Sequence, residues 1–177
     1  MSTRTITRHL LPALLLVIGV LCARYVAPSS PAALAVAETP APSWYRVERV
    51  VDGDTVVLDM GGKSVTVRLI GLDTPEVVDP KKPVQCYGPE ASKEAHAKLD
   101  GQVVRLETDP TQGQFDKYGR TLGYVFLSDG ADFDELMIRQ GFGREYTYKK
   151  AYRYQAEFKA AQLQAQVERL GLWSVCL

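Results

Sequence analysis

The pattern of apolar and polar residues is strand-like in five short, β-branched-rich segments: Trp44 to Val51, Thr55 to Asp59, Lys63 to Ile70, Gln102 to Thr108 and Thr121 to Leu127. Each predicts a β-strand. Asp52-Gly53-Asp54 and Gly61-Gly62 can turn hairpins between them, and Ser128-Asp129-Gly130 closes the fifth. Between the third and fourth, Pro89 to Asp100 begins with Pro and Glu and spaces Ala91, Ala95 and Leu99 by four, which predicts a helix. A second helix is predicted over Asp132 to Gln140, stopped by Gly141. A third runs from about Ala151 to Leu170, with Tyr154, Phe158, Ala161 and Ala165 on one stripe and Gly171 as its stop. Three strands, a helix, two strands and closing helices is the order of a five-stranded OB-type barrel with three helices, an α+β chain that is mainly β.

Upstream the pattern changes. Leu10 to Cys22 (LLPALLLVIGVLC) is an apolar run preceded by Arg4, Arg8 and His9 and followed by Arg24. With Pro12 inside, it falls short of the about 20 residues that a bilayer-spanning helix needs, and it suits the apolar core of a secretory signal. Ala35-Val36-Ala37 offers a small-residue cleavage site; the other reading is an uncleaved N-terminal anchor running to Ala27. Both send the folded part across a membrane, so an extracytoplasmic protein is expected, secreted or anchored through its N-terminus. Leu21 before Cys22 lacks the smallness that lipid attachment requires. Residues 1–28 are thus read as signal or anchor, 29–43 as a Pro/Ala-rich linker, and 44–177 as one domain. Outside the leader only Cys86 and Cys176 remain. They form either one disulfide, adding roughly 4 to 5 kcal/mol in the chain-entropy model, or two unpaired thiols.

Charge narrows the chemistry. The chain carries 21 Lys+Arg and 21 Asp+Glu, and removing the leader's three arginines leaves the remainder at net −3. That excludes a domain that holds nucleic acid by sheer basicity. After the leader the only histidine is His96, among Lys93, Glu94 and Lys98 on a charged helix, where it reads as a solvated side chain. Ser-His-Asp, Cys-His and histidine-zinc catalysis therefore lack a base or a ligand. No Gly-x-x-x-x-Gly-Lys loop and no helix-opening Gly-x-Gly-x-x-Gly is present.

Carboxylates, arginines and tyrosines remain, and they cluster at turns. Asp52-Gly53-Asp54-Thr55 and Asp73-Thr74-Pro75-Glu76 each read singly as a plain turn, but together they offer hard oxygen donors for Ca²⁺ or Mg²⁺. An EF-hand is excluded, because the twelfth position from Asp52 is Lys63. Arg68 falls on the strand face opposite the apolar residues, Arg120 follows Lys117-Tyr118-Gly119, and Tyr146 and Tyr148 present flat faces ahead of the third helix. Two guanidinium groups beside a carboxylate-held cation suit the five-coordinate transition state of a phosphodiester, whose charge grows on the non-bridging oxygens. Aromatic faces can stack bases.

Asp-Gly-Asp-Thr (52–55), Val-Arg-Leu (67–69), Asp-Thr-Pro-Glu (73–76), Pro-Lys-Lys-Pro with Tyr-Gly-Pro-Glu-Ala (80–91), Asp-Lys-Tyr-Gly-Arg (116–120), Arg-Gln-Gly (139–141), Tyr-x-Tyr (146–148) and Leu-Trp-Ser (172–174) occur in the order found in the staphylococcal nuclease, or thermonuclease, family, which this chain resembles over about residues 44–175. The resemblance implies Asp54, Asp73 and the Thr74 carbonyl as Ca²⁺ ligands, with Asp52 orienting metal-bound water. It implies Glu76 as general base, Arg68 and Arg120 as the phosphate clamp, and Lys117 and Tyr118 as terminal-phosphate contacts. Tyr146 matches the base-stacking position, with Tyr148 beside it. The implied enzyme is a monomeric Ca²⁺-dependent endo- and exonuclease that cleaves single-stranded or denatured DNA and RNA to 3′-phosphates.

The chain departs from the family at three places: Cys86, in line with a disulfide-stapled variant; the spacing of Gln112 to Asp116; and Glu145, which is expected to place negative charge beside the stacking face. Two other functions compete with a nuclease. One is a non-catalytic nucleic-acid-binding OB module, which would lack some of Asp54, Asp73, Glu76, Arg68 and Arg120, all five of which are here. The other is a structural exported domain.

Overall fold

The computed structural model describes residues 43–81 and 83–176. The expected leader, and all of the expected linker except Ser43, lie outside the described residues. The elements are β1 (Ser43–Asp52), β2 (Thr55–Asp59), β3 (Ser64–Leu69), β4 (Leu72–Asp73), α1 (Gly88–Leu99), β5 (Val103–Glu107), β6 (Thr121–Phe126), α2 (Phe133–Arg139), β7 (Arg144–Glu145), α3 (Gln155–Val167) and α4 (Leu172–Val175).

Five strands close a barrel in the order β1-β2-β3-β6-β5. β1 serves two partners: Arg46 to Asp52 pair with β2, while Ser43 to Arg46 pair with β5. Register shifts between Val47 and Arg49 and between Val50 and Asp52 bend the strand so that it can do both. The remaining seam is the parallel pairing of β3 with β6, Val67 opposite Thr121. Inward-facing Val47, Val56, Leu58, Val67, Leu69, Val104 and Val125 fill the interior, all at most 3% exposed. α1 turns Ala91, Ala95 and Leu99 onto this core, as its spacing by four predicts. Asp132 caps α2 by accepting from the amides of Asp134 and Glu135, at 2.9 and 3.2 Å.

The third helix differs from its prediction at both ends. It begins at Gln155, because residues 151–154 are spent on contacts with other elements. The Arg153 amide donates to Asp109 Oδ2 (2.8 Å), the Tyr154 hydroxyl to Glu107 Oε1 (2.7 Å) and the Tyr152 hydroxyl to Glu145 Oε1 (3.0 Å). Its end is a Schellman closure, with the Leu170 amide on the Ala165 carbonyl and the Arg169 amide on that of Gln166. Arg169, not Gly171, takes the left-handed conformation of that closure (φ 52°). Gly171 instead opens α4 and lies backbone to backbone against Gly141, where a Cβ on either residue would come within 2.3 Å of a backbone oxygen of the opposing strand of chain. β4, β7 and α4 were not predicted; two or four residues are too short for any period to register. The short β4–β7 pair, Leu72 opposite Glu145 and Asp73 opposite Arg144, is continued by the Tyr146 amide on the Gly71 carbonyl (2.9 Å). Cys86 and Cys176 are disulfide-bonded, which settles the alternative left open by the sequence.

Asp109 is a buried junction. Its carboxylate accepts from the Tyr124 hydroxyl (2.9 Å), the Arg153 amide (2.8 Å), and the Thr111 amide and hydroxyl (2.9 and 2.7 Å). Burial pushes its carboxyl up, but these donors outweigh burial and hold it below the usual carboxylate range. A carboxyl so depressed stabilises the fold above its unfolded-state value of about 3.9, and that contribution disappears as the pH falls through the lower folded value. We expect Asp109→Ala to cost about 2 to 3 kcal/mol at pH 7 in urea unfolding, by orphaning several buried donors. The difference from the parent should shrink steadily below about pH 4.

Candidate active site

The acidic turn between β1 and β2 meets the end of β3 at one mouth of the barrel. Asp54 is 6% exposed. Its Oδ2 accepts from the Thr74 amide (3.0 Å) and hydroxyl (3.3 Å), and its Oδ1 from the Thr55 hydroxyl (3.0 Å). Asp52 Oδ1 takes the Asp54 amide at 3.1 Å. Gly53 is required between them, because a Cβ there would lie 2.7 Å from the Thr74 side chain.

Arg68 projects from β3 into this acidic surround. Nη2 lies 3.1 Å from Asp54 Oδ2 and 3.2 Å from Asp73 Oδ1, and Nη1 donates to the carbonyls of Leu69 (2.9 Å) and Leu72 (2.6 Å). Asp54 and Asp73 share one guanidinium and Asp52 stands beside Asp54, which leaves an excess of negative charge. Burial first, and then the charge of Asp54, pushes the Asp52 carboxyl up to about 6. The same two causes raise Asp73, against the pull of Arg68 and Arg144. Hard oxygen donors carrying unrelieved negative charge fit a divalent cation. Among the described residues, no group of three or more His, Cys, Asp and Glu side chains forms a ready-made cage. A cation here would therefore depend on the Thr74 carbonyl, water and substrate for the rest of its coordination.

Glu76 follows β4 and is held from its own chain. Oε1 accepts the amides of Val77 (2.9 Å), Val78 (2.7 Å) and Asp79 (3.1 Å), while Oε2 has no hydrogen-bond partner among the described residues. Its backbone is bracketed by Gln85, whose Oε1 accepts the Glu76 amide and whose amide donates to the Glu76 carbonyl, both at 2.9 Å. Arg120 is aimed by Asp116, which accepts its Nε at 2.6 Å and its amide at 2.9 Å. Burial raises the Asp116 carboxyl, but the hydrogen bonds from Arg120 and the Tyr118 amide prevail and keep it below the usual range.

Asp52, Asp54, Arg68, Asp73, Thr74, Glu76, Tyr118 and Arg120 line one cavity of about 410 Å³. A second cavity of about 640 Å³ shares Arg68, Asp73, Tyr118 and Arg120 with it, and adds Lys117, Tyr146 and Tyr148. Tyr118, Tyr146 and Tyr148 are exposed, and the rings of the last two lie 6.4 Å apart at 41°. Every side chain that the sequence singled out for metal, catalysis or substrate thus lies on one of two adjoining cavities.

The profile of the family described as "Staphylococcal nuclease homologue" matches residues 66–175. The chain is 45% identical over 130 residues to the thermonuclease of Staphylococcus hyicus, covering 73% of this chain and 75% of that protein. It is 44% identical over 129 residues to the thermonuclease of Staphylococcus intermedius, with the same two coverages. This chain belongs to the staphylococcal nuclease family. Endonuclease YncB of Bacillus subtilis (strain 168) is 36% identical over 129 residues, 72% of this chain and 60% of that protein.

Glu145, which immediately precedes Tyr146, lies at the β4–β7 seam, where its carboxylate accepts from the hydroxyls of Tyr152 and Thr147. His96 is exposed and pairs with Asp100 at 2.8 Å, consistent with the solvated role expected of it. Sequence reasoning missed Gln85 and Asp116 as orienting groups, and Phe115 and Lys149 as walls of the larger cavity. Asp116 stood inside a quoted motif; Gln85 had no signal, because it meets Glu76 only through a reversal of irregular chain. Among the described residues, no helix is long and apolar enough to cross a membrane.

Removing the Arg68 guanidinium leaves Asp54 and Asp73 facing each other without a counter-charge, together with the carbonyls of Leu69 and Leu72 that lose its donors. Arg68→Ala is expected to lower unfolding stability by about 2 to 4 kcal/mol at pH 7. Asp54→Asn added to it should recover part of that loss, as measured by chemical denaturation of the single and double variants.

Proposed function

We propose that the chain is an exported, Ca²⁺-dependent phosphodiesterase that hydrolyses single-stranded or denatured DNA and RNA and leaves 3′-phosphates. The observation that carries this reading is the convergence in one cavity of a carboxylate with an unpartnered oxygen, two guanidinium groups and a cluster of aspartates with excess charge. The 44–45% identity to two thermonucleases supports it. The disulfide and the apolar leader support an oxidising destination outside the cytoplasm.

In this reading, Asp54, Asp73 and the Thr74 carbonyl hold Ca²⁺, with Asp52 behind them, and the ion supplies positive charge to the phosphate oxygens. Ca²⁺ acidifies water weakly, so the proton needs a separate acceptor. Glu76 Oε2 takes it as the water oxygen bonds to phosphorus. The bond from phosphorus to the 5′-oxygen breaks, that oxygen receives a hydrogen bond from Arg120, and solvent returns a proton to it. Arg68, fixed by four acceptors, contributes positive charge that needs no reorganisation during the reaction. Lys117 and Tyr118 meet a terminal phosphate, and Tyr146 and Tyr148 stack bases at about 1 to 3 kcal/mol each.

Purified protein on denatured-DNA plates should clear the DNA with Ca²⁺ and not with chelator; absence of chelator-sensitive clearing would overturn the assignment. Glu76→Gln is expected to lose at least about 100-fold in kcat while retaining nucleotide-dependent Ca²⁺ binding. Turnover near that of the parent would remove Glu76 as the base. Arg68→Lys should also fail substantially, because an ammonium cannot reproduce the guanidinium fork.

A further inference from the structure

Asp54, Arg68 and Asp73 are placed by strands of the barrel or by residues bonded to them, but Glu76 is not. Among the described residues its carboxylate is tied only to the three amides that follow it, so its position is set by whatever holds its backbone. That support is a short run beginning at Gln85. Gln85 grips the Glu76 amide and carbonyl. Cys86 is bonded to Cys176, 90 residues away at the end of α4. The Tyr87 ring stacks on Phe142 with centroids 5.7 Å apart. Gly88 presses against the carbonyls of Pro75 and Glu76 so closely that a Cβ there would stand 3.1 Å from both and 2.5 Å from Val77 Cγ1. Between the ends of this loop, Val78 and Val84 are exposed and contribute little anchoring. The disulfide is thus the covalent end of a chain of contacts that reaches the Glu76 backbone in one residue.

We propose that Gln85 is the positioning residue of Glu76 and that the Cys86–Cys176 disulfide locks Gln85 in place, so that the redox state of this pair sets turnover. The proposal rests on Glu76 acting as the base. A dithiol opens the lock by giving up two electrons: Cys86 and Cys176 become thiols, and the reagent closes to its cyclic disulfide. Released, residues 85 and 86 move with their loop and carry Glu76 off its aim, where misplacement by about 1 Å costs up to 100-fold in rate. The aspartates, Arg68, Arg120 and the tyrosine faces keep their places, so affinity should not follow.

The test uses the full chain, oxidised, reduced with dithiothreitol, and as the Cys86→Ser/Cys176→Ser double variant. It is assayed on a single-stranded oligonucleotide at saturating Ca²⁺, well below each form's unfolding temperature. We expect kcat to fall roughly tenfold on reduction and in the double variant, with KM and Ca²⁺ affinity within about twofold, and to return on reoxidation. Oxidised Gln85→Ala should show the same fall, and Gln85→Glu, which keeps an acceptor for the Glu76 amide, should recover most of it. Amide exchange at Val77 to Asp79 should quicken on reduction while barrel amides do not. An unchanged kcat in the reduced form and in Gln85→Ala overturns the proposal, as does a parallel loss of kcat, affinity and near-ultraviolet dichroism. An oxidised enzyme whose Glu76→Gln variant turns over normally overturns the base assignment and this proposal with it. A Glu76-dependent enzyme indifferent to Gln85 overturns this proposal alone.

Discussion

The guanidinium of Arg68 bonds to Asp54 on the β1–β2 turn, to Asp73 on β4, and to the carbonyls of Leu69 and Leu72 on either side of the bend where β3 ends. Three segments that would otherwise present only acceptors to one another are brought together by this single planar donor. A lysine could satisfy one or two of these acceptors; the rest would be left unpaired in a partly buried place. The acidic turn, the short β4–β7 pair and the shape of the smaller cavity all presuppose it. What it does not do is neutralise the cluster, and in the proposed function that surplus charge is what would draw a cation.

Much of this was readable in advance because the site is built from turns. Asp52 and Asp54 flank one glycine, and Asp73, Thr74 and Glu76 lie within four residues, so short motifs capture most of the groups that matter. The barrel strands were readable for the same local reason, since each is a short β-branched or aromatic segment bounded by turn residues. Failures came where a residue serves a distant partner. Tyr152 and Tyr154 sit at spacings that suit a helix, yet their hydroxyls are committed to Glu145 and Glu107, and the helix starts only after them. Arg169 took the left-handed position because the Schellman closure fell two residues before the glycine that should have provided it. Glu145 looked like a surface charge until its partners at the seam were visible.

The net charge also takes on a local meaning. A domain of net −2 cannot gather a polyanion at long range. Within the larger cavity, however, Arg68, Lys117, Arg120 and Lys149 stand among four tyrosines. Lys117 and Arg120 both lie over the ring of Tyr118, at 4.8 and 5.3 Å from its centroid. Cations and flat faces are thus interleaved, an arrangement that in the proposed function would recognise a strand at short range through its phosphates and unstacked bases.

Barrel closure has a consequence for how the chain comes into being. β1 completes its pairing only when Tyr45 meets Val104, and β3 only when Val67 meets Thr121. A chain emerging N-terminus first therefore cannot close its sheet until Thr121 has been made, and the staple waits for Cys176, 90 residues after its partner. Such dependence on far-separated pairings slows folding. The β1–β2–β3 meander can form early, but its two outer edges stay open until β5 and β6 arrive to cover them.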